Sequence, residues 1–481
     1  MPTKVALNWV NQNRKRLEKL SKTIWEYAEV GFCEYRSAEL LALELEKEGF
    51  KTERGVAGMP TAFVATCGSA RPVIGILGEY DALPGLSQKV SADKEPVKPG
   101  GAGHGCGHNL LGVGSLGGIL AAKEAMIKAG IRGTIKYFGC PAEEILMGKV
   151  FMAREGLFNG LDAALTWHPM GVNSTWLSNS LALNSVKFNF HGISAHAAAA
   201  PAQGRSALDA VILMDIGVNY LREHILPEAR IHSVIAKSGV EPNIVPAESQ
   251  IWYFIRAPRR KEVEEIYRRI LGIARGAALM TETTFDPDFI VGCYDFAPNE
   301  VLTELLENCL KKVGRPKFTI EARELASSLE ATFAAGAKES VLQANHIPVE
   351  LSRFTLHEKC IKGGIGKGKV LPISTEVGDV SHIVPTAQFN ICCQPVGTAA
   401  HSWQVTAASG SGIGYQGMLA ASKVLALASL ELLTKPLILK DAKKEFKEKI
   451  KREGLYKSPL PSDSKPSLGL LKPEEINLEN R

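Results

Sequence analysis

Nowhere does this chain of 481 residues run to about 18 unbroken apolar residues, the length a membrane-spanning helix needs, so no membrane role is expected. Aromatics are few, at 7%, and the formal net charge is only +5. Without a basic patch interleaved with aromatics, no nucleic-acid partner is expected either. Much of the excess charge lies in Lys440 to Arg452, which reads as a solvated helix face. The nine cysteines are odd in number and scattered, unlike a disulfide framework. A reducing, cytoplasmic compartment is the expectation. The polar, charged stretch from Met1 to Leu20 lacks the apolar centre of a signal peptide.

What remains is an ordinary globular composition, 45% hydrophobic and 22% charged. The length suits two or three domains of about 150 residues each. Leu7, Val10, Leu17, Leu20, Ile24 and Tyr27 recur at helical spacing over 7–30. Short runs at 61–65, 73–77, 133–140 and 163–167 read as strands, with a helix over 37–49 before them and one over 110–128 among them. This alternation predicts an α/β layer, a mixed and mainly parallel sheet flanked by helices. From about residue 183 the order becomes strand, helix, strand, strand, helix, strand, as in a ferredoxin-like sandwich. We therefore expect a catalytic domain in two parts, 1–182 and 295–434, with a lid or dimerisation domain inserted at 183–294. Residues 435–481 read as a charged, proline-bearing tail.

In such sheets ligands gather beyond the carboxyl ends of strands. Asp81, Glu143, Glu144 and His168 all fall just after expected strands, which favours one shared site. Between them runs Gly-His-Gly-Cys-Gly-His-Asn, 103–109. Its Cys106 and His108 look like two legs of a metal site, since thiolate and imidazole together suit zinc and similar divalent ions. Glycine allows the positive φ and close approach that such a loop needs. On spacing alone, a turn with a buried thiol is the plainer reading. The adjacent carboxylates of Glu143 and Glu144 point different ways from an extended segment, one free for metal and one for water. Alone, they read first as an acidic helix N-terminus. His168 and His401 are further neutral-imidazole candidates, each ordinary by itself.

Taken in order, Gly78 to Pro84, Cys106-Gly107-His108, Glu143-Glu144, His168, the His-Gly-x-x-Ala-His stretch at 191–196 and His401 resemble the aminoacylase and carboxypeptidase group of dinuclear metallopeptidases, peptidase family M20. Within it they are most similar to the amidohydrolase branch with a cysteine ligand. The resemblance implies that Cys106, His108, Glu144, His168 and His401 hold two divalent ions, zinc or manganese, with Cys106 in the bridging position. It implies Glu143 as general base. Glu79 stands where other branches place a metal-binding histidine; His108 would supply the missing nitrogen. Asp81 would orient a ligand imidazole. Whether Glu79 touches metal stays open.

The resemblance further implies that His196 reaches an active site, often that of a neighbouring protomer, to hydrogen-bond the oxyanion. Asn243 and Arg256 would grip substrate, Arg256 as a fork for a carboxylate. Without the resemblance these three are a cap, a turn residue before Pro246 and a strand-end charge. The implied activity is hydrolysis of the amide joining an acyl group to an amino acid with a free carboxylate. The sharpest candidate is p-aminobenzoyl-glutamate; other N-acyl amino acids and β-alanyl-type dipeptides are alternatives. A homodimer through 183–294, or a hetero-oligomer with a homologous subunit, is the implied assembly.

Two other classes stay in view. One is a cysteine hydrolase with Cys106 as nucleophile and a histidine as base. The other is a metal-free binding protein on the same fold. Gly363 to Lys369 has the phosphate-loop spacing, but Val370 follows in place of Ser or Thr. Gly410, Gly412 and Gly414 have no βαβ unit after them, and Cys392-Cys393 read as core.

Overall fold

A computed structural model of the chain describes residues 2–469. Seven strands form the larger sheet: β1 (Lys51–Arg54), β2 (Phe63–Gly68), β3 (Val73–Glu79), β4 (Thr134–Cys140), β5 (Ala163–Met170), β6 (Ser174–Thr175) and, late in the chain, β11 (Thr386–Cys392). Their order is β1-β2-β4-β3-β5-β11-β6. The four central strands are parallel. Antiparallel additions flank them at both edges. Parallel strands covered on both faces read as near-continuous apolar runs, which is why Val73–Leu77 and Ala163–Trp167 stand out in the sequence. Side chains alternate between two cores: Ile74, Ile76, Ile135 and Tyr137 on one face, Leu77, Phe138 and Cys140 on the other.

The first core is filled by the helices His108–Ala129 and Gly412–Thr434, which pack on each other and on the sheet. By length and composition alone both could cross a membrane, a point that counting unbroken apolar runs overlooks. In each, 83% of the most apolar window is buried inside the protein. Close approach depends on glycine: a Cβ on Gly114 would lie 2.5 Å from Trp167, and one on Gly117 2.5 Å from Ser422 Oγ. Ser422 donates to the Gly114 carbonyl at 2.9 Å. The helix expected over 7–30 is two helices, Pro2–Gln12 and Arg14–Tyr27, broken at Asn13, whose side chain bonds back to the Trp9 carbonyl.

The second sheet holds β7 (Ala182–His191), β8 (Arg230–Lys237), β9 (Glu248–Ala257) and β10 (Thr284–Cys293), all antiparallel, in the order β10-β7-β9-β8. Helices Ala207–Leu221 and Arg260–Thr281 pack against it. This is the strand order and connection of a ferredoxin-like sandwich. Along β9, Ile251, Tyr253, Ile255 and Ala257 face those helices; Trp252, Phe254 and Arg256 face the other way, into the cavity described below.

The stretch read as a tail begins with structure. Helix Pro436–Glu453 starts on proline, whose fixed φ suits a first helical position, and buries Leu439 and Ala442. Its basic residues are not all solvated: Lys443 pairs with Asp162, and Lys449 Nζ donates to the Ser381 carbonyl at 3.1 Å. Beyond it Leu460 is buried. The remainder of the expected tail, 470–481, lies outside the described residues. Gly363 to Lys369 is a loop running alongside 173–179, with Trp176 paired to Ile365, and no helix starts from it.

Candidate metal centre

The central strands bring the chemistry together. Asp81 follows β3, Glu143 and Glu144 follow β4, and His401 comes after β11; His168 lies inside β5 rather than after it. Cys106 and His108 come from the loop into helix His108–Ala129. Gly107 between them has φ +77°, and a Cβ there would lie 3.1 Å from the Pro169 ring. Only glycine takes this turn without strain, and the turn aims both neighbours at one place.

Glu143 and Glu144 sit in a short 3-10 turn bracketed by Ala142 (φ 55°) and Leu146 (φ 59°). Left-handed backbone at such residues costs about 1–3 kcal/mol each and persists only where its surroundings enforce it. Here Glu34 Oε1 accepts from Ala142 N–H at 2.8 Å, and Asp81 Oδ2 accepts from Glu144 N–H at 2.9 Å. Glu34 is fully buried and also accepts from Thr61 Oγ1 at 3.0 Å; burial, with Asp81 nearby, pushes its carboxyl up to about 8. His401 too has left-handed backbone, φ 54°.

Cys106 Sγ lies 3.3 Å from His168 Nε2, and His168 Nδ1 is 2.8 Å from the Pro169 carbonyl. His108 Nδ1 is 2.8 Å from Asp81 Oδ1, so its Nε2 is turned toward the centre. His401 Nε2 is 3.3 Å from Glu144 Oε2. Two triads result, Cys106–His108–His168 and Cys106–Glu144–His401, each with its donor atoms within 4.8 Å of one another. They share the Cys106 sulfur. A third group, Glu79–His108–Glu143, adjoins them.

The electrostatics follow from this crowding. Burial raises the Cys106 thiol, but the imidazoles of His168 and His108 outweigh it and bring the group well below its ordinary range. Burial pushes Glu144 up to about 7, with the Cys106 sulfur adding to the rise and His401 opposing it. Glu143 is raised by burial, then by Glu376 and Glu79. His401 is pushed up to about 10 by its bonds to Cys106 and Glu144.

Divalent ions fit this donor set. His108 Nε2 and Glu144 Oε1 are buried with no hydrogen-bond partner, an expensive state for polar atoms unless something else satisfies them. One sulfur, three imidazoles and one carboxylate, divided over two triads, form an N/S/O set of the kind zinc-like cations take.

The centre lies in a cavity of about 610 Å³. Trp176, Trp252, Phe254 and Ile290 give it an apolar wall, and Arg256 adds a guanidinium. Arg256 Nε is buried without a partner. His196 and Asn243 do not line this cavity. Both are exposed, side by side: His196 pairs with Ile244, and the Asn243 carbonyl accepts from Ala197 N–H at 2.9 Å. His104, the other histidine of the glycine-rich loop, is a core residue bonded to the Ile24 carbonyl at 3.0 Å. Sequence reasoning missed Lys149 and Glu376, both fully buried beside Glu79. Each is a lone charged residue in an unremarkable stretch, so no local signal marks it.

The sequence and the fold are matched by known proteins. The model of peptidase family M20/M25/M40 matches residues 75–346, and the chain belongs to that family. It is a hydrolase acting on amide bonds, of a metal-dependent kind. The chain is 39% identical over 468 residues to the B-type p-aminobenzoyl-glutamate hydrolase subunit of Escherichia coli strain K12, covering 95% of this chain and 97% of that protein. It is 30% identical to the Xaa-Arg dipeptidase of Mus musculus, over 94% of this chain and 93% of that one. Among solved structures, a dinuclear metal-binding peptidase of the M20 family from Bacillus subtilis shares the fold at a TM-score of 0.58 and 15% identity, covering 88% of this chain and 99% of that one.

Proposed function

We propose that this protein hydrolyses the amide bond of N-acyl amino acids, with p-aminobenzoyl-glutamate as its first candidate substrate. The observation that carries the reading is the Cys106 sulfur shared by two donor triads inside a cavity that also presents Arg256. Cys106, His108 and His168 would hold one cation; Cys106, Glu144 and His401 would hold the other. When bound, such cations polarise the amide carbonyl and make water a nucleophile near neutral pH. Glu143, beside His108 Nε2 at 3.8 Å, takes the proton from the attacking water and passes it to the leaving nitrogen. Asp81 holds His108 in one tautomer. Arg256 grips the free carboxylate, and Trp176, Trp252 and Phe254 cover an aromatic acyl group while keeping water out. The similarity to the Escherichia coli p-aminobenzoyl-glutamate hydrolase supports the aromatic acyl and glutamyl halves.

A second surface supports an assembly. Ile212, Ile216 and Tyr220 lie four residues apart on helix Ala207–Leu221 and are exposed, as are Val234 and Ile235 on edge strand β8. Such a stripe beside an open strand edge suits a neighbouring protomer. A homodimer through this face, or a hetero-oligomer with a homologous subunit, would let His196 and Asn243 serve the partner's cavity. A reducing, cytoplasmic setting agrees with the odd number and scattered spacing of the nine cysteines.

A cysteine-nucleophile mechanism draws on one observation, the 3.3 Å contact of Cys106 with His168. Metal-stripped protein separates the readings. Release of p-aminobenzoate should vanish on chelation and return with zinc or manganese, and no acyl adduct should form on Cys106. Full activity without metal would sink the proposal.

A further inference from the structure

The hydrolytic scheme leaves the fully buried Lys149 unused. Lys149 follows Gly148, where a Cβ would come within 1.9 Å of the Pro141 carbonyl oxygen; the bare glycine lets helix Gly148–Arg154 start tight against the turn that carries Glu143. Lys149 is fully buried. Its Nζ is 2.7 Å from Glu79 Oε1 and 3.0 Å from Glu376 Oε1. Its backbone N–H reaches the same Glu376 oxygen at 3.4 Å. Burial alone would draw the lysine's pKa down, yet Glu376 and then Glu79 hold it well above the ordinary lysine value. The ammonium is therefore a fixed charge shared by two carboxylates.

Glu79 is the carboxylate that matters for the centre. Its second oxygen, Oε2, lies 3.4 Å from His108 Nε2, one of the buried atoms without a hydrogen-bond partner. Yet Glu79 belongs with His108 and Glu143 and to neither triad built on Cys106. Carboxylate oxygens bind zinc-like ions at about 2.0–2.2 Å. A Glu79 free to turn would have only a short way to go to take a position on the ion beside His108. The bond from Glu79 Oε1 to the lysine opposes that turn, and Glu376, from the segment before helix Val377–Ser381, anchors the lysine from the far side.

We propose that Lys149 is a positioning residue that holds Glu79 off the cation bound by Cys106, His108 and His168, keeping a coordination position open for the reacting groups. The proposal rests on the metal reading above. With its lysine, Glu79 supplies negative charge near the ion without occupying it.

Cobalt(II) loaded into stripped protein is the probe, read by its visible spectrum and by its rate of loss to a chelator. Glu79→Gln leaves a neutral Lys149–Glu376 pair, and its spectrum should match the wild type. Lys149→Met combined with Glu376→Gln frees Glu79. The visible bands should weaken, as they do when cobalt gains a ligand, and cobalt loss should slow by about tenfold. Adding Glu79→Gln to that pair should restore both readouts. The proposal is overturned by an altered spectrum in Glu79→Gln alone, by an unaltered one in the folded double variant, or by a change that survives the third substitution. Should the double variant not fold, the Glu79→Gln spectrum decides. Wild-type protein that takes up cobalt with no thiolate-to-cobalt band would instead overturn the metal reading itself.

Discussion

Asp81 holds His108 by its Nδ1 at 2.8 Å through one carboxylate oxygen, and with the other it holds the backbone of Glu144 at 2.9 Å. One side chain thus orients an imidazole and pins the strained turn that carries both glutamates. Asp81→Ala should release both. Metal affinity, measured by competition with a chelator, should fall by about 10–100-fold. Asp81→Asn, which keeps the shape and one acceptor, should lose less.

Glu143 is placed for proton transfer and stands outside both Cys106 triads. Glu143→Gln should keep its full complement of metal by elemental analysis while turnover drops by about a hundred- to ten-thousand-fold. Near-normal hydrolysis by the metal-loaded variant would remove Glu143 from the mechanism.

Arg256 meets the cavity from β9, with one buried nitrogen unpaired. Loss of a charged hydrogen bond of this kind is worth about 1.5–3 kcal/mol, so Arg256→Ala should raise KM for a free-carboxylate substrate by about 10–100-fold. The same change should leave KM for the corresponding amide nearly where it was. Equal losses on both would argue that Arg256 only supports the wall.

His196 lies outside its own chain's cavity. If it serves a neighbour, His196→Ala and Glu143→Gln proteins should each be nearly inactive alone. Mixed and reassociated, they should regain activity, because one site in each mixed dimer is complete. No recovery, in a mixture shown to exchange protomers, would rule that out.

Asp379 is buried, accepts from Tyr294 N–H at 3.1 Å and from Tyr456 Oη at 2.9 Å, and is pushed up to about 7 by burial. A carboxyl whose folded-state pKa is raised binds its proton better when folded. Its contribution is full below its ordinary value of 3.8 and is lost as pH climbs through about 7. Calorimetry should show the Tm of the wild type falling relative to Asp379→Asn between about pH 4 and pH 7. A gap constant across that range would contradict the assignment.

Much of the architecture was legible because its periods are strong. The alternation along β9 and the apolar runs of β3 and β5 are direct consequences of burial on one face or on both. The donors of the centre could be read too, since Cys106 and His108 sit in a glycine turn, Glu143 and Glu144 follow a strand, and His168 lies two residues inside the end of one. Other features carry no local mark. Glu79, Lys149 and Glu376 meet only in three dimensions, and nothing in the spacing of one predicts another. The docking of helix Pro436–Glu453 was obscured by its lysines, which outnumber the apolar residues that dock it. The glycines and small residues of His108–Ala129 and Gly412–Thr434 interrupt their apolar runs, which concealed how hydrophobic both helices are.

His108 is the first residue of a shaft whose other turns are wedged, glycine to serine and glycine to indole, into the middle of the protein. There is consequently no slack between the interior and the imidazole. A methyl group added at Gly117, more than two turns from His108, would press on Ser422 and Leu17, and where they do not yield the shaft shifts and its tip moves with it. An error of about 1 Å in a catalytic group can cost about a hundredfold in rate, so the enzyme's speed is exposed to substitutions that never see the cavity.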